Sequence, residues 1–293
     1  MTSRSLETMT SLDTTLSLST GAQIPTLGLG TWFIDDDKAA QAVRDAVDID
    51  YRNIDTAQAY GNERGVGEGV RTSGVAREEL FVSTKLAAEI KDYDGAVAAI
   101  DGSLETMGLD YIDLMLIHAP QPWDDFREGD YDEDNLAAWR ALEEAFHAGK
   151  LKAIGVSNFR EHDLDNIIDN AEVTPHVNQI LVHAGNTPVE LINYCRDKDI
   201  VVEAYSPIAH GEILNNPHVT DMAEKYGVSV PQLCIRYTLQ LGTVSLPKTA
   251  DPEHMRSNAE VDFTIEDADM DALRNLEARD YGDSAAFPVY NGK

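Results

Sequence analysis

Lysine and arginine are scarce in this chain: 23 of them stand against 52 aspartates and glutamates, a formal net charge of −29. That deficit argues against a nucleic-acid or anionic-membrane partner, because both would be repelled. The acids are not gathered into one tail. They recur along the chain, as in Asp35-Asp36-Asp37, Asp124-Asp125 and Asp262 to Asp271. Spread in this way they read as the solvated acidic shell of a halophilic protein, since at molar salt the Debye length falls to ~3 Å and self-repulsion is screened. Cysteine is also rare. Cys195 and Cys234 are too few for a disulfide framework. Both lie in apolar helical surroundings, where a reduced thiol is expected, so the cytoplasm is the expected compartment. No apolar run is long enough to span a bilayer. Residues 1–13 are rich in Ser and Thr and lack the apolar centre of a secretory signal, so they are expected to be a disordered tail before a single domain over 14–293. The eight histidines form no His-Glu-x-x-His and no His-x-His at a strand end. No metal site is therefore expected.

What is present is a strict alternation. Eight apolar, β-rich runs occur at Thr26 to Thr31, Asn53 to Thr56, Leu80 to Lys85, Ile112 to His118, Ala153 to Ser157, His176 to Ile180, Ile200 to Tyr205 and Thr243 to Pro247. Helical stretches fill the gaps: Lys38 to Ile49 places Ala39, Ala42, Val43, Ala46 and Val47 on one face, and Tyr93 to Met107 and Leu136 to Ala148 are similar. Gly149 and Gly227 stand where helices should stop. Eight strand–helix units without a linker predict an α/β fold, a closed (β/α)8 TIM barrel. Ahead of it, Thr15 to Ser19, a turn at Thr20-Gly21-Ala22, and Gln23-Ile24 predict an N-terminal β-hairpin able to plug one end. The rival Rossmann sheet needs Gly-x-Gly-x-x-Gly after its first strand; Gly28-Leu29-Gly30 is followed by Thr31-Trp32-Phe33, without the third glycine. Gly65, Gly67 and Gly69 are evenly spaced but lie in a polar helical stretch, not after a strand.

In a barrel, chemistry gathers at the C-terminal ends of the strands. Those ends read Trp32, Asp55, Lys85, His118, Ser157-Asn158, Gln179, Tyr205 and Lys248. Asp55 alone could be a cap, Lys85 a surface lysine, His118 a core histidine, and Tyr60 a loop tyrosine packed on its own turn. Together they form a proton-transfer set. Asp55 would keep Lys85 charged, and an ammonium beside Tyr60 would favour its phenolate and make it a better acid. His118 would donate a hydrogen bond to the same substrate oxygen.

Five segments, in order, resemble the aldo-keto reductase family: Asn53 to Glu63, Leu109 to His118, Ile154 to Phe159, Ala204-Tyr205-Ser206-Pro207, and Leu246-Pro247-Lys248-Thr249. The resemblance spans roughly residues 14 to 280. It implies NADPH-dependent reduction of aldehydes or ketones, keto-sugars or short dicarbonyls among them, with Asp55, Tyr60, Lys85 and His118 as the catalytic tetrad and Tyr60 as proton donor. It further implies that Ser157, Asn158 and Gln179 hold the nicotinamide carboxamide, Tyr205 stacks on its ring, and Asp55, Thr31 and Trp32 line the cofactor. Ser206, Pro207 and Ile208 would border the pyrophosphate, Lys248 and Thr249 the 2′-phosphate, and Asn258 the adenine. Trp32, Tyr60 and His118 would face the substrate. The alternative is a non-catalytic NADP(H)-binding regulatory barrel. A monomer is expected.

Three departures alter these expectations. His254 stands where many members have Arg, so NADPH preference is weakened and NADH use is expected alongside it, since an imidazole is mostly neutral above pH ~6.5. Ala119 follows His118 where relatives carry Trp, which should remove an aromatic wall. Ile180-Leu181-Val182-His183 replaces an acidic-aromatic continuation.

Overall fold

The computed structural model describes residues 10–292. Short strands β1 (Thr15–Ser17) and β2 (Gln23–Pro25) pair antiparallel with Leu16 opposite Ile24. Gly21 makes the turn between them at φ +87°, a conformation that costs a glycine least. Eight parallel strands then follow in chain order: β3 (Leu29–Gly30), β4 (Asn53–Asp55), β5 (Phe81–Leu86), β6 (Ile112–Ile117), β7 (Leu151–Ser157), β8 (Val177–Leu181), β9 (Val201–Tyr205) and β10 (Val244–Leu246). Parallel bridges Leu27–Ser245 and Gly30–Lys248 join the first strand to the last and close the (β/α)8 barrel.

The crossover helices are α1 (Asp36–Asp48), α2 (Glu63–Arg71), α3 (Tyr93–Met107), α4 (Asp132–His147), α5 (Glu161–Asn170), α6 (Val189–Asp197), α7 (Pro217–Tyr226) and α8 (Val230–Gln240). The last two share one crossover. α9 (Pro252–Ala259) and α10 (Asp267–Asn275) follow β10. The stripe Ala39, Ala42, Val43, Ala46 and Val47 on α1 is buried, as the periodicity requires. Gly227 stops α7 in the left-handed region at φ +66°, and Gly149 follows α4 at φ +78°. The evenly spaced glycines of α2 serve packing. A Cβ would lie 2.1 Å from the Asp36 carbonyl oxygen at Gly65, 2.2 Å from that of Met107 at Gly67, and 2.6 Å from Val43 Cβ at Gly69. Only bare backbone lets α2 approach α1 and α3 so closely.

The hairpin plugs one end of the barrel, the end where the strands begin. Leu18 and Ile24 join one apolar cluster with Phe81, Leu114, Val177 and Val244, all early in their strands. The strand C-termini are left open at the opposite end. Of the tail expected over 1–13, residues 1–9 lie outside the described residues. The remainder is anchored: Ser11 is buried, and its amide and hydroxyl donate to Asp262 Oδ1 at 2.7 and 2.6 Å. The boundary drawn at residue 13 therefore falls inside the packed chain.

Candidate active site

Strand polarity brings the polar strand ends to one mouth. β4 ends at Asp55, Lys85 is the penultimate residue of β5, and His118 follows β6. The 3-10 turn Gln58–Tyr60 after β4 folds Tyr60 over them. Lys85 is fully buried, and Nζ uses its three hydrogens on Asp55 Oδ2 at 2.7 Å, the Thr56 carbonyl at 2.8 Å and Tyr60 Oη at 3.3 Å. A buried charge needs such pairing. Burial pulls the Lys85 ammonium down, but Asp55 and Tyr60 outweigh it and raise it to about 12.

Tyr60 corrects the electrostatic expectation. Lys85 does pull its phenol down, but burial pushes harder in the other direction and Asp55 adds to it, so the net shift is upward. The phenol therefore keeps its proton. The His118 imidazole is held well below its ordinary range by burial and then by the charges of Lys85 and Lys91, so it is neutral. Its ring meets that of Tyr60 edge-on, with centroids 5.8 Å apart, and its buried Nδ1 has no hydrogen-bond partner among the described residues.

These groups floor a cavity of about 930 Å³. Asp55, Tyr60 and His118 line it, as do Thr31, Trp32, Ser157, Asn158, Gln179, Tyr205, Ser206, Pro207, Ile208, Lys248, Thr249, His254 and Asn258. Lys85 alone of the expected site residues is absent from the lining, since it lies beneath Tyr60 with its charge spent on the pair. Several lining groups are fixed by their neighbours. The Thr31 hydroxyl donates to the Asp55 carbonyl at 2.8 Å. Asn158, at φ +60°, donates from Nδ2 to the His118 carbonyl at 3.1 Å and to Ser157 Oγ at 3.2 Å, and its Oδ1 accepts from Tyr205 Oη at 2.5 Å. The Ser157 hydroxyl donates to the Gln179 carbonyl at 2.9 Å. One asparagine thus ties the ends of β6, β7 and β9 together. Thr249 Oγ1 accepts from the Asp251 amide at 3.0 Å. Lys248 is exposed and makes no ion pair among the described residues, whereas His254 Nδ1 lies 4.0 Å from Asp251 Oδ2.

Other residues of the site carry no sequence motif. The aromatic wall expected to be missing after His118 is present: Trp123 meets His118 edge-on at 5.2 Å, while Ala119 is fully buried. The final turn, Pro288–Tyr290, returns over the mouth. Tyr290 Oη and Ser206 Oγ are 2.8 Å apart, and the Phe287 and Trp32 rings meet edge-on at 5.0 Å. His183, in the segment that departs from the usual continuation, hydrogen-bonds Tyr281 Oη at 2.8 Å and so helps root this C-terminal segment. Arg127 donates to the Asn158 carbonyl at 2.7 Å and pairs with Asp163 at 3.2 Å. Glu203, inside β9, is fully buried against Gln179. Its signal was available: it precedes Tyr205 by two residues, on the same face of the strand.

Comparison with known proteins agrees with this geometry. Residues 26–278 match the Aldo/keto reductase family. The glyoxal reductase of Bacillus subtilis is 41% identical over 269 residues, covering 91% of this chain and 94% of its own. The crystal structure of an aldo/keto reductase from Brucella melitensis superposes with a TM-score of 0.86 at 38% identity, covering 92% of this chain and 100% of that one. A Bombyx mori aldo-keto reductase, solved in complex with NADP, superposes with a TM-score of 0.83 at 34% identity, covering 94% and 98%. With the barrel, the polar strand ends and the sequence match in agreement, this chain belongs to the aldo/keto reductase family and is an oxidoreductase.

Proposed function

We propose that this enzyme reduces aldehydes and ketones to alcohols with NADPH, small dicarbonyls and keto-sugars among them, and that Tyr60 supplies the proton. The observation that carries the reading is the buried Asp55–Lys85–Tyr60 chain at the cavity floor with neutral His118 beside it. The donor set fits a nicotinamide dinucleotide phosphate. The Gln179 side chain spends Nε2 on Asp55 and Glu203 and leaves Oε1 without a partner among the described residues, and Lys248 makes no ion pair among them. Gln179, with Ser157 and Asn158, would hold the carboxamide and Tyr205 the ring face. Ser206, Pro207 and Ile208 would border the pyrophosphate. Lys248, Thr249 and His254 would meet the 2′-phosphate, and Asn258 the adenine. When bound, the cofactor supplies a hydride to the carbonyl carbon.

The rest is done by the chain. His118 donates an N–H to the carbonyl oxygen and orients it. Tyr60 holds its proton because burial raises its phenol, and releases it only as the oxygen becomes a stronger base. The phenolate left behind faces the Lys85 ammonium at 3.3 Å, and Asp55 keeps that ammonium charged. Trp32 and Trp123 wall the substrate side without adding charge. The similarity to a glyoxal reductase supports dicarbonyls as the first substrates to try. The test is NADPH consumption against glyoxal, methylglyoxal, a keto-sugar and an aryl aldehyde in molar KCl; no turnover with any of them would overturn the reading. The tetrad is complete within one chain, which supports action as a monomer, and two buried free cysteines suit the cytoplasm.

Two further expectations follow from charge. His254→Arg replaces an imidazole ring beside Asp251 with a permanent, forked cation, so the NADPH-over-NADH ratio of kcat/KM should rise by roughly tenfold, the worth of one charge-assisted hydrogen bond. An unchanged ratio would remove His254 from the phosphate site. With a net charge of −29, the melting temperature should climb by several degrees between 0.1 M and 2 M KCl as self-repulsion is screened. A flat or falling Tm over that range would sink the halophilic reading.

A further inference from the structure

We propose that Glu203 is a positioning residue of this centre: it takes the second hydrogen of the Gln179 carboxamide and so fixes which face of that amide looks into the cavity. The inference rests on the reading of the site as the place of carbonyl reduction. Gln179 and Glu203 stand side by side in the β8–β9 register. Gln179 Nε2 donates to Asp55 Oδ1 at 3.0 Å and to Glu203 Oε1 at 3.2 Å. An amide has two hydrogens, and both are now spent on carboxyl groups. Its carbonyl oxygen is thereby turned away from both and left as the acceptor open to a ligand. Asp55 alone would fix one hydrogen and leave the amide free to swing about it.

Packing does not explain an acid here. Glu203 is fully buried, Oε2 has no partner among the described residues, and a leucine would fill the space without a polar cost. Charge explains it better. Three other titratable groups face Glu203: Asp55 from β4, Lys85 from β5 and Tyr60 from the turn above. One ammonium cannot serve two dry carboxylates. Burial and then Asp55 push the Glu203 acid up to about 8, against the pull of Gln179 and Lys85. The neutral acid leaves Lys85 to Asp55 and Tyr60. Its ionised form would push the Tyr60 phenol higher still.

The experiment compares wild type, Glu203→Gln and Glu203→Leu, without cofactor and in NADPH titrations followed by fluorescence. Glutamine keeps both the shape and an acceptor for Gln179, so its NADPH Kd should stay within about threefold of wild type. Leucine keeps neither, and its Kd should rise roughly tenfold, the worth of one lost hydrogen bond. The pH profile of the cofactor-free protein gives a second readout. An acid raised in the folded state contributes stability below its unfolded value of 4.5, and that stability is lost as pH rises through about 8. The Tm of Glu203→Gln relative to wild type should therefore climb between pH 5 and pH ~8.5. Glu203→Leu binding NADPH as tightly as wild type would overturn the proposal, and so would a flat Tm difference across that range. If the leucine variant does not fold, the glutamine profile decides alone. That profile needs no carbonyl turnover, so its failure is distinct from failure of the reductase reading.

Discussion

Tyr60→Phe should lower kcat for carbonyl reduction by about 10²–10⁴, the usual contribution of a positioned general acid, while NADPH affinity stays within a few-fold. The two halves of this expectation have separate structural causes. The lost oxygen is the atom 3.3 Å from Lys85 Nζ, the hydroxyl proposed to return a proton to the reacting oxygen. The retained ring keeps its contacts with His118 at 5.8 Å and with Trp32 at 6.4 Å, so the walls of the cavity survive. Lys85 also keeps Asp55 and the Thr56 carbonyl as acceptors, so the variant should fold normally. Single-turnover mixing of NADPH-loaded protein with a carbonyl isolates the chemical step. A variant that retained kcat within threefold of wild type would remove Tyr60 from the proton-donor role. Weakened NADPH binding with an unchanged single-turnover rate would make it a cofactor ligand instead.

The meeting of Asp55, Tyr60, Lys85 and His118 was legible because barrel geometry turns a one-dimensional pattern into a place. Any polar residue closing an apolar strand run arrives at the same mouth, so Asp55, Lys85 and His118 converge without a contact being known in advance. Tyr60, five residues beyond Asp55, needed the resemblance as well as the spacing. What stayed hidden depends on distances along the chain or on depth. Ser11 and Asp262 meet across 251 residues, and Ser206 and Tyr290 across 84; no local pattern encodes either. Trp123 reaches His118 from a 3-10 turn, where neither strand nor helix period applies. The direction of the Tyr60 shift was hidden for another reason. Sequence placed a cation beside the phenol, but the competing effect is desolvation, and only packing fixes its size. Glu203 was the one avoidable omission, because strand alternation already put it on the inward face with Tyr205.

Lys85→Met should be the most destabilising of the substitutions considered. Methionine matches the length of the lysine stem but leaves Asp55 buried without its cation, with Gln179 as a remaining donor to its carboxylate. Stranding one member of a buried pair costs about 3–5 kcal/mol, which in a chain of this size lowers Tm by on the order of 10 °C. The pH dependence has a definite sign. Lys85 is raised from 10.5 to about 12 in the folded protein, so its added stability is complete below 10.5 and is lost as pH rises through about 12. The Tm deficit of the variant should be full at neutral pH and narrow only in strong alkali. Asp55→Leu/Lys85→Met removes both charges and should recover most of the lost stability, because an apolar pair of similar volume is commonly as stable as a buried ion pair. It should recover no turnover. A single variant melting within 2 °C of wild type, or a double variant no better than the single, would mean that the pair does not carry the energy assigned to it. Stability restored without activity would show that the barrel does not need this pair to fold. It would then be held for its chemistry, as the fixed charge that receives the proton donor's phenolate.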